Sequence, residues 1–274
     1  MHRMLTAVAA AWMAVLVSAA PSSGQAGPAT REMERLNWME FREWVPARIN
    51  TVLLPLGSLE AHGVTANGTD ILAPAAMARD IAARVNAFVA PAVPYGITAS
   101  LAAYPGGLTV ADEAYRAYVK AVALGLARNK FKNLIFVNGH GGNTAALNAI
   151  AAEVSEQANV RALVVNWWTY CSDVTLEVFG EDGGHAGENE NAYVMAIDPS
   201  LSHPERYTPA LATPNPPSGS WAAFPHPSTI MLYKEGQGYP KFDRAKAALY
   251  FQKVNDKVAR LIQDVIKKWD AGGM

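Results

Sequence analysis

The sequence predicts one α/β domain built as a three-layer sandwich, a mainly parallel sheet between two layers of helices. Apolar runs of strand length alternate with amphipathic runs of helix length, the order that right-handed strand–helix–strand crossovers require. The strand-like runs are continuously apolar, as in Thr51-Val-Leu-Leu-Pro-Leu-Gly57 and Asn133-Leu-Ile-Phe-Val-Asn138, which is expected where helices cover both faces of a sheet. Three short Gly-rich segments carry acidic and histidine side chains, and two of them directly follow such runs. Open α/β sheets place their ligands at that edge.

The elements follow in chain order. Residues 1–26 have a short positive start at Arg3, an apolar run from Leu5 to Ala20, and a small-residue stretch ending Gly24-Gln25-Ala26. This is the layout of a cleaved secretory signal, in preference to an uncleaved N-terminal anchor. No Cys follows the run and no twin-Arg pair precedes it, so the general export route is expected. The folded domain is then 27–274, periplasmic or secreted, with no membrane association after signal removal. Residues 29–42 have helical character, 51–57 form the first strand and 71–85 a helix. Residues 88–96 read as a second strand whose prolines suggest an edge or strand-end position. Residues 104–107 form a turn and 111–129 an amphipathic helix. Strand 133–138, helix 144–157 and strand 160–168 follow. Residues 204–237 turn to Pro, Ser, Gly and aromatics, an irregular excursion of the length that often serves as a lid or an oligomer contact. Residues 241–271 close the chain as a long helix. No repeat or linker divides it.

Composition excludes more than it selects. There are 23 basic and 24 acidic residues, so nothing electrostatic favours nucleic acid or an acidic membrane surface as partner. The lone Cys171 cannot form an intramolecular disulfide, and after an apolar run it reads as a small buried side chain.

Three of the six histidines lie in the Gly-rich segments. Glu60 and His62 sit just past a strand, and in an extended segment that spacing points both to one side. Asp70, after the Asn67-Gly68 turn, can swing back to them. His140 lies at the carboxyl end of the 133–138 strand, in Asn-Gly-His-Gly-Gly-Asn. Its neighbouring glycines, Gly141 and Gly142, let backbone approach a metal or substrate and offer amide N–H groups to an oxyanion. His185, Glu188 and Glu190 follow another Gly-rich turn at a helix start, where the helix dipole alone would also favour glutamates. Together, carboxylates and imidazoles of this number suit a dinuclear site.

These segments, with Pro94-Tyr95-Gly96, Tyr104-Pro-Gly106 and Trp168, resemble the creatininase (creatinine amidohydrolase) family over about residues 50 to 200. The resemblance implies two divalent ions per chain, hydrolysis of a non-peptide C–N bond in a small amide, often cyclic, and a closed homo-oligomer, commonly a hexamer. Carried over by motif, Glu60, Asp70 and His140 hold one ion. His62, Asp70 as bridge, and a glutamate hold the other. Creatininase itself has that glutamate where this chain has Gly142, so Glu188 is the expected substitute and Glu190 the second choice. His185 matches the acid/base histidine, and Glu190 is otherwise its supporting carboxylate. Zn or Mn suits the ligand types, and Fe is admissible. Trp168, Tyr95, Gly141 and Gly142 are the expected pocket residues. The chain departs from many relatives between His62 and Asp70, where the loop is one residue shorter and lacks a second histidine. Gly184 also stands where creatininase has glutamate. Creatinine is therefore not the expected substrate. A small cyclic amide, lactam or formamide is, with a peptidase acting on short modified peptides, or a non-catalytic metal-binding module, as alternatives.

Overall fold

Strand β1, Thr51–Leu56, is buried along its whole length, and its side chains divide by parity. Val52, Leu54 and Leu56 join one apolar cluster, while Leu53 joins the other. Strand β3, Asn133–Asn138, repeats the split, with Leu134 and Phe136 on the first side and Ile135 and Val137 on the second. This is the period-two geometry of a strand with helices on both faces. Truncating one such residue, Leu53→Ala, would cost about 2–5 kcal/mol.

The structure is a computed structural model and describes residues 27–99, 101–181, 183–207 and 243–274. The expected signal segment and all but the start of the 204–237 excursion lie outside the described residues. After a 3-10 turn at Met33–Arg35, helix α1 (Trp38–Trp44) opens on an Asn37/Glu40 capping box, β1 follows, and then helix α2 (Thr69–Ile81). Strand β2 (Ala87–Val89), helix α3 (Asp112–Arg128), β3, helix α4 (Thr144–Ala158) and strand β4 (Arg161–Asn166) come next. Helices α5 (Trp167–Tyr170), α6 (Ser172–Phe179), α7 (Glu188–Ile197) and α8 (Arg244–Ala271) complete the order. The four strands are parallel, in the order β2-β1-β3-β4. Helices α2, α6, α7 and α8 contribute to the cluster on one face, and α3 and α4 with flanking side chains of α1 to the cluster on the other. The Asp243 side chain caps α8 through the Ala245 and Lys246 N–H groups at 2.9 and 3.0 Å, worth about 1 kcal/mol.

Three expectations change. The 88–96 strand is cut to Ala87–Val89, because Pro91 and Pro94 cannot extend a ladder, and beyond it only isolated bridges such as Leu56 to Val93 remain. The 160–168 strand ends at Asn166, where its partner β3 also ends in the pair Asn138–Asn166. With no ladder left, Trp167 starts a helical turn and packs on Tyr193 at 5.0 Å. Helix α6 has no counterpart in the sequence reading. Among the described residues, no helix is long and apolar enough to cross a membrane.

Candidate metal centre

Two strand ends and two helix starts converge at the carboxyl edge of the sheet. Glu60 and His62 extend from β1, His140 from β3, Asp70 from the first turn of α2, and Glu190 from the first turn of α7. The close fit of α2 against the strands has a covalent origin. A Cβ on Gly57 would stand 2.2 Å from the Asp70 main-chain oxygen, and one on Gly139 only 2.1 Å from it. Glycine at both strand ends lets α2 start there.

Glu60, Asp70 and Glu190 are each less than a tenth exposed, as are His62 and His140. Asp70 divides its carboxylate between the two imidazoles: Oδ2 lies 2.8 Å from His140 Nδ1 and Oδ1 lies 3.0 Å from His62 Nε2. Glu60 Oε1 lies 3.2 Å from His140 Nδ1, and Glu190 Oε2 lies 3.5 Å from His62 Nε2. Ligating atoms thus gather in overlapping triads: Glu60, Asp70 and His140; His62, Asp70 and Glu190; and Glu60, His62 and His185.

Second partners fix which atom each imidazole presents. His140 Nε2–H donates to the Ile97 carbonyl at 2.8 Å, leaving Nδ1 toward the acids. His62 Nδ1–H donates to the Glu60 carbonyl at 3.0 Å, leaving Nε2 inward. His185 Nε2–H donates to the Ala61 carbonyl at 2.7 Å, so Nδ1 faces Glu60 Oε1 at 3.5 Å. The His62 and His185 rings lie 4.5 Å apart. Among the described residues, His62 Nε2 is buried without a hydrogen-bond partner, despite the nearby carboxylates. An inward ring nitrogen surrounded by carboxylates in this way suits a cation.

The electrostatics agree. Burial opposes charge on His62 and His140, but the facing carboxylates outweigh it and push both up to about 10. Burial would raise Asp70, yet His62 and His140 hold it far below the usual range. Burial, with Asp70 and Glu60 adding to it, raises Glu190. His185 is lowered to about 4 by burial and then by the charge on His62. Among the described residues, three buried carboxylates thus face imidazoles as their cationic partners, the kind of site a divalent cation relieves.

The geometry gives the place beside His62 and Asp70 to Glu190, where the sequence reading preferred Glu188. Both open α7, where residues two apart on a helix point about 200° apart, and it is Glu190 whose carboxylate lies 3.5 Å from His62 Nε2. The Ala186 N–H secures Glu190 by donating to Oε2 at 2.7 Å. Ala186 itself adopts a left-handed φ of 53°, a conformation costing roughly 1–3 kcal/mol. Glu188 is buried but belongs to none of the triads. At Gly142 a Cβ would meet the Ile97 carbonyl at 2.0 Å and His140 Nε2 at 2.5 Å, so this backbone leaves no room there for a ligand side chain. Gly141 lies against Trp168, its would-be Cβ 3.9 Å from the ring. Tyr95 is exposed on the segment that leads to Ile97. Sequence reasoning missed Thr98, whose hydroxyl donates to Glu60 Oε2, and Asn143, whose side chain holds Ile97. Asn143 stood in the quoted motif, whereas Thr98 lies in a loop with no periodic signal.

A parallel sheet with a carboxylate–imidazole cluster at its carboxyl edge defines an α/β protein with a candidate metal site. The creatininase family, described as creatinine amidohydrolase, matches residues 34–262, and the chain belongs to that family of amidohydrolases. It is 26% identical to the creatinine amidohydrolase of Pseudomonas putida over 185 residues, 61% of this chain and 71% of that protein. It is 27% identical to the mycofactocin precursor peptide peptidase of Mycobacterium ulcerans over 186 residues, 62% of this chain and 67% of that one. The 3-dehydro-scyllo-inosose hydrolase of Thermotoga maritima is 29% identical over 163 residues, covering 56% of this chain and 52% of that protein. Among solved structures, creatinine amidohydrolase (creatininase) aligns with a TM-score of 0.75 at 22% identity, over 86% of this chain and 98% of that one. A structure titled creatininase Mn gives 0.73 at 23% identity over the same shares. These two likenesses establish the shared fold.

Proposed function

We propose that this protein is an exported amidohydrolase whose cluster holds two divalent ions, Zn or Mn with Fe admissible, and opens a C–N bond in a small cyclic amide, lactam or formamide. The observation that carries this reading is the split carboxylate of Asp70, one oxygen toward each of two histidines. Glu60, Asp70 and His140 would hold one ion, and His62, Asp70 and Glu190 the other. When bound, two divalent cations supply Lewis-acid pull on a carbonyl oxygen and acidify water.

The chain's own groups supply the rest. His185 has the most open side chain of the cluster histidines, and its Nε2–H is committed to Ala61. Nδ1 is thus the atom that takes a proton from attacking water and returns it to the leaving nitrogen. Trp168, beside Gly141, offers a flat wall next to His140 for a planar substrate. Export rests on the N-terminal pattern of residues 1–26, and assembly into a closed homo-oligomer, a hexamer favoured, rests on the family resemblance. Elemental analysis of protein purified without added metal tests the reading. About two ions per chain is the expected result, and a value near zero that added metal cannot raise would overturn it.

One further reading has a specific observation behind it. The similarity to the mycofactocin precursor peptide peptidase is comparable in extent to that with creatinine amidohydrolase. A short peptide would then occupy the same cluster. Parallel assays with a cyclic-amide panel and short modified peptides separate the two.

A further inference from the structure

We propose that Asn143 and Thr98 are positioning residues that set cation affinity in one half of the cluster only, the Glu60–Asp70–His140 half. The proposal rests on the metal-binding reading above. It comes from a hydrogen-bond path that passes through a two-residue piece of backbone, Ile97-Thr98.

Asn143 is fully buried. Its Oδ1 accepts from the Ile97 N–H at 3.0 Å and its Nδ2 donates to the Gly57 carbonyl at 3.1 Å, so it ties Ile97 to the end of β1. The Ile97 carbonyl accepts the His140 Nε2–H. The next N–H, that of Thr98, donates to Thr109 Oγ1 at 3.0 Å. The peptide plane between Ile97 and Thr98 is therefore held from both sides. The Thr98 hydroxyl then donates to Glu60 Oε2, leaving Oε1 to face His140. One short bracket thus selects two ligand atoms: Nδ1 of His140, by occupying Nε2, and Oε1 of Glu60, by occupying Oε2.

The other half is oriented without this bracket. His62 is set by the Glu60 carbonyl and Glu190 by the Ala186 N–H. Partners that orient ligands in this way are typically worth about 10–100-fold in metal affinity. Losing the bracket should therefore weaken one ion by that factor and leave the other unchanged.

The test is zinc titration of the full chain against a competing chelator, resolving two affinities per chain, for the unaltered protein, Thr98→Val, Thr98→Ser and Asn143→Ala. Thr98→Val keeps shape and removes the donor, and Thr98→Ser restores it. The expected result is one affinity lowered about 10–100-fold in Thr98→Val and Asn143→Ala, the second unchanged, and recovery in Thr98→Ser. Should Asn143→Ala fail to fold, the threonine pair decides alone. If both affinities fall together, or if Thr98→Ser behaves as Thr98→Val, the selective role is overturned. Two zinc ions bound normally by Thr98→Val overturn the support while the metal reading stands. Fewer than two zinc ions in the unaltered protein overturn that reading and the proposal with it.

Discussion

The two ends of the sheet both bury charge, and they resolve it in opposite ways. At the amino end, Arg161 is 7% exposed, and its guanidinium is satisfied within the chain. It donates to Asp270 Oδ1 at 2.6 Å, to Asn133 Oδ1 at 3.3 Å and to the Met274 main-chain oxygen at 2.9 Å. At the carboxyl end, three buried carboxylates face three imidazoles, and one imidazole nitrogen has no hydrogen-bond partner among the described residues. Buried charge completed by the protein's own groups is architecture. Buried charge arranged for something from outside is a site.

That contrast can be broken or sharpened experimentally. The largest effect is expected at the position proposed to bridge: Asp70→Ala should lose both ions and abolish amide hydrolysis. Elemental analysis and turnover check this, and retention of two ions would remove Asp70 from the bridge. His185→Ala should keep the metal content and lower turnover by about 10²–10⁴-fold, so metal loss in this variant would make His185 a ligand instead. Glu190→Gln should weaken one ion at least as much as losing an outer partner would, about 10–100-fold, while Glu188→Gln leaves both affinities unchanged; a chelator titration showing the reverse order would restore Glu188. At the opposite end, Arg161→Ala should reduce stability by about 1–3 kcal/mol, seen in denaturant unfolding, with metal content untouched. The smallest effect concerns Cys171, which is fully buried and whose thiol burial pushes up to about 12. Native protein at pH 8 should resist alkylation until denatured, and rapid native labelling would show that α6 opens locally.

Much of this was legible in the sequence, for reasons that particular residues make plain. Continuous apolar runs identify β1 and β3 because both faces are covered, and the parity of Leu53 against Val52 and Leu54 needed only period two. Glu60, His62 and His140 were legible as candidates by residue type just past strand ends, and Asp70 by its place after the Asn67-Gly68 turn. What stayed hidden was orientation. Glu188 and Glu190 are equivalent in composition, and only the start of α7, with the Ala186 N–H, sets Glu190 beside His62. The end of β4 was unreadable for a similar reason: Val165 and Trp167 are equally apolar, and the strand stops because its neighbour does. Thr98 carries no pattern at all, since its role depends on a contact across 38 residues.

The glycine seat beneath α2 has a practical consequence. Because a Cβ at position 57 or 139 would collide with the Asp70 main-chain oxygen, the carboxylate shared by the Glu60–Asp70–His140 and His62–Asp70–Glu190 triads takes its place from the spacing of two adjacent strands. The place of Asp70 between the two halves of the cluster is thus tied to sheet register. The wall around Trp168 can be rebuilt to accept new substrates while Asp70 keeps its place, as long as β1 and β3 stay in register. Loop 63–68, by contrast, is tied to the cluster, because the Asn67 carbonyl accepts the Glu60 N–H at 3.1 Å.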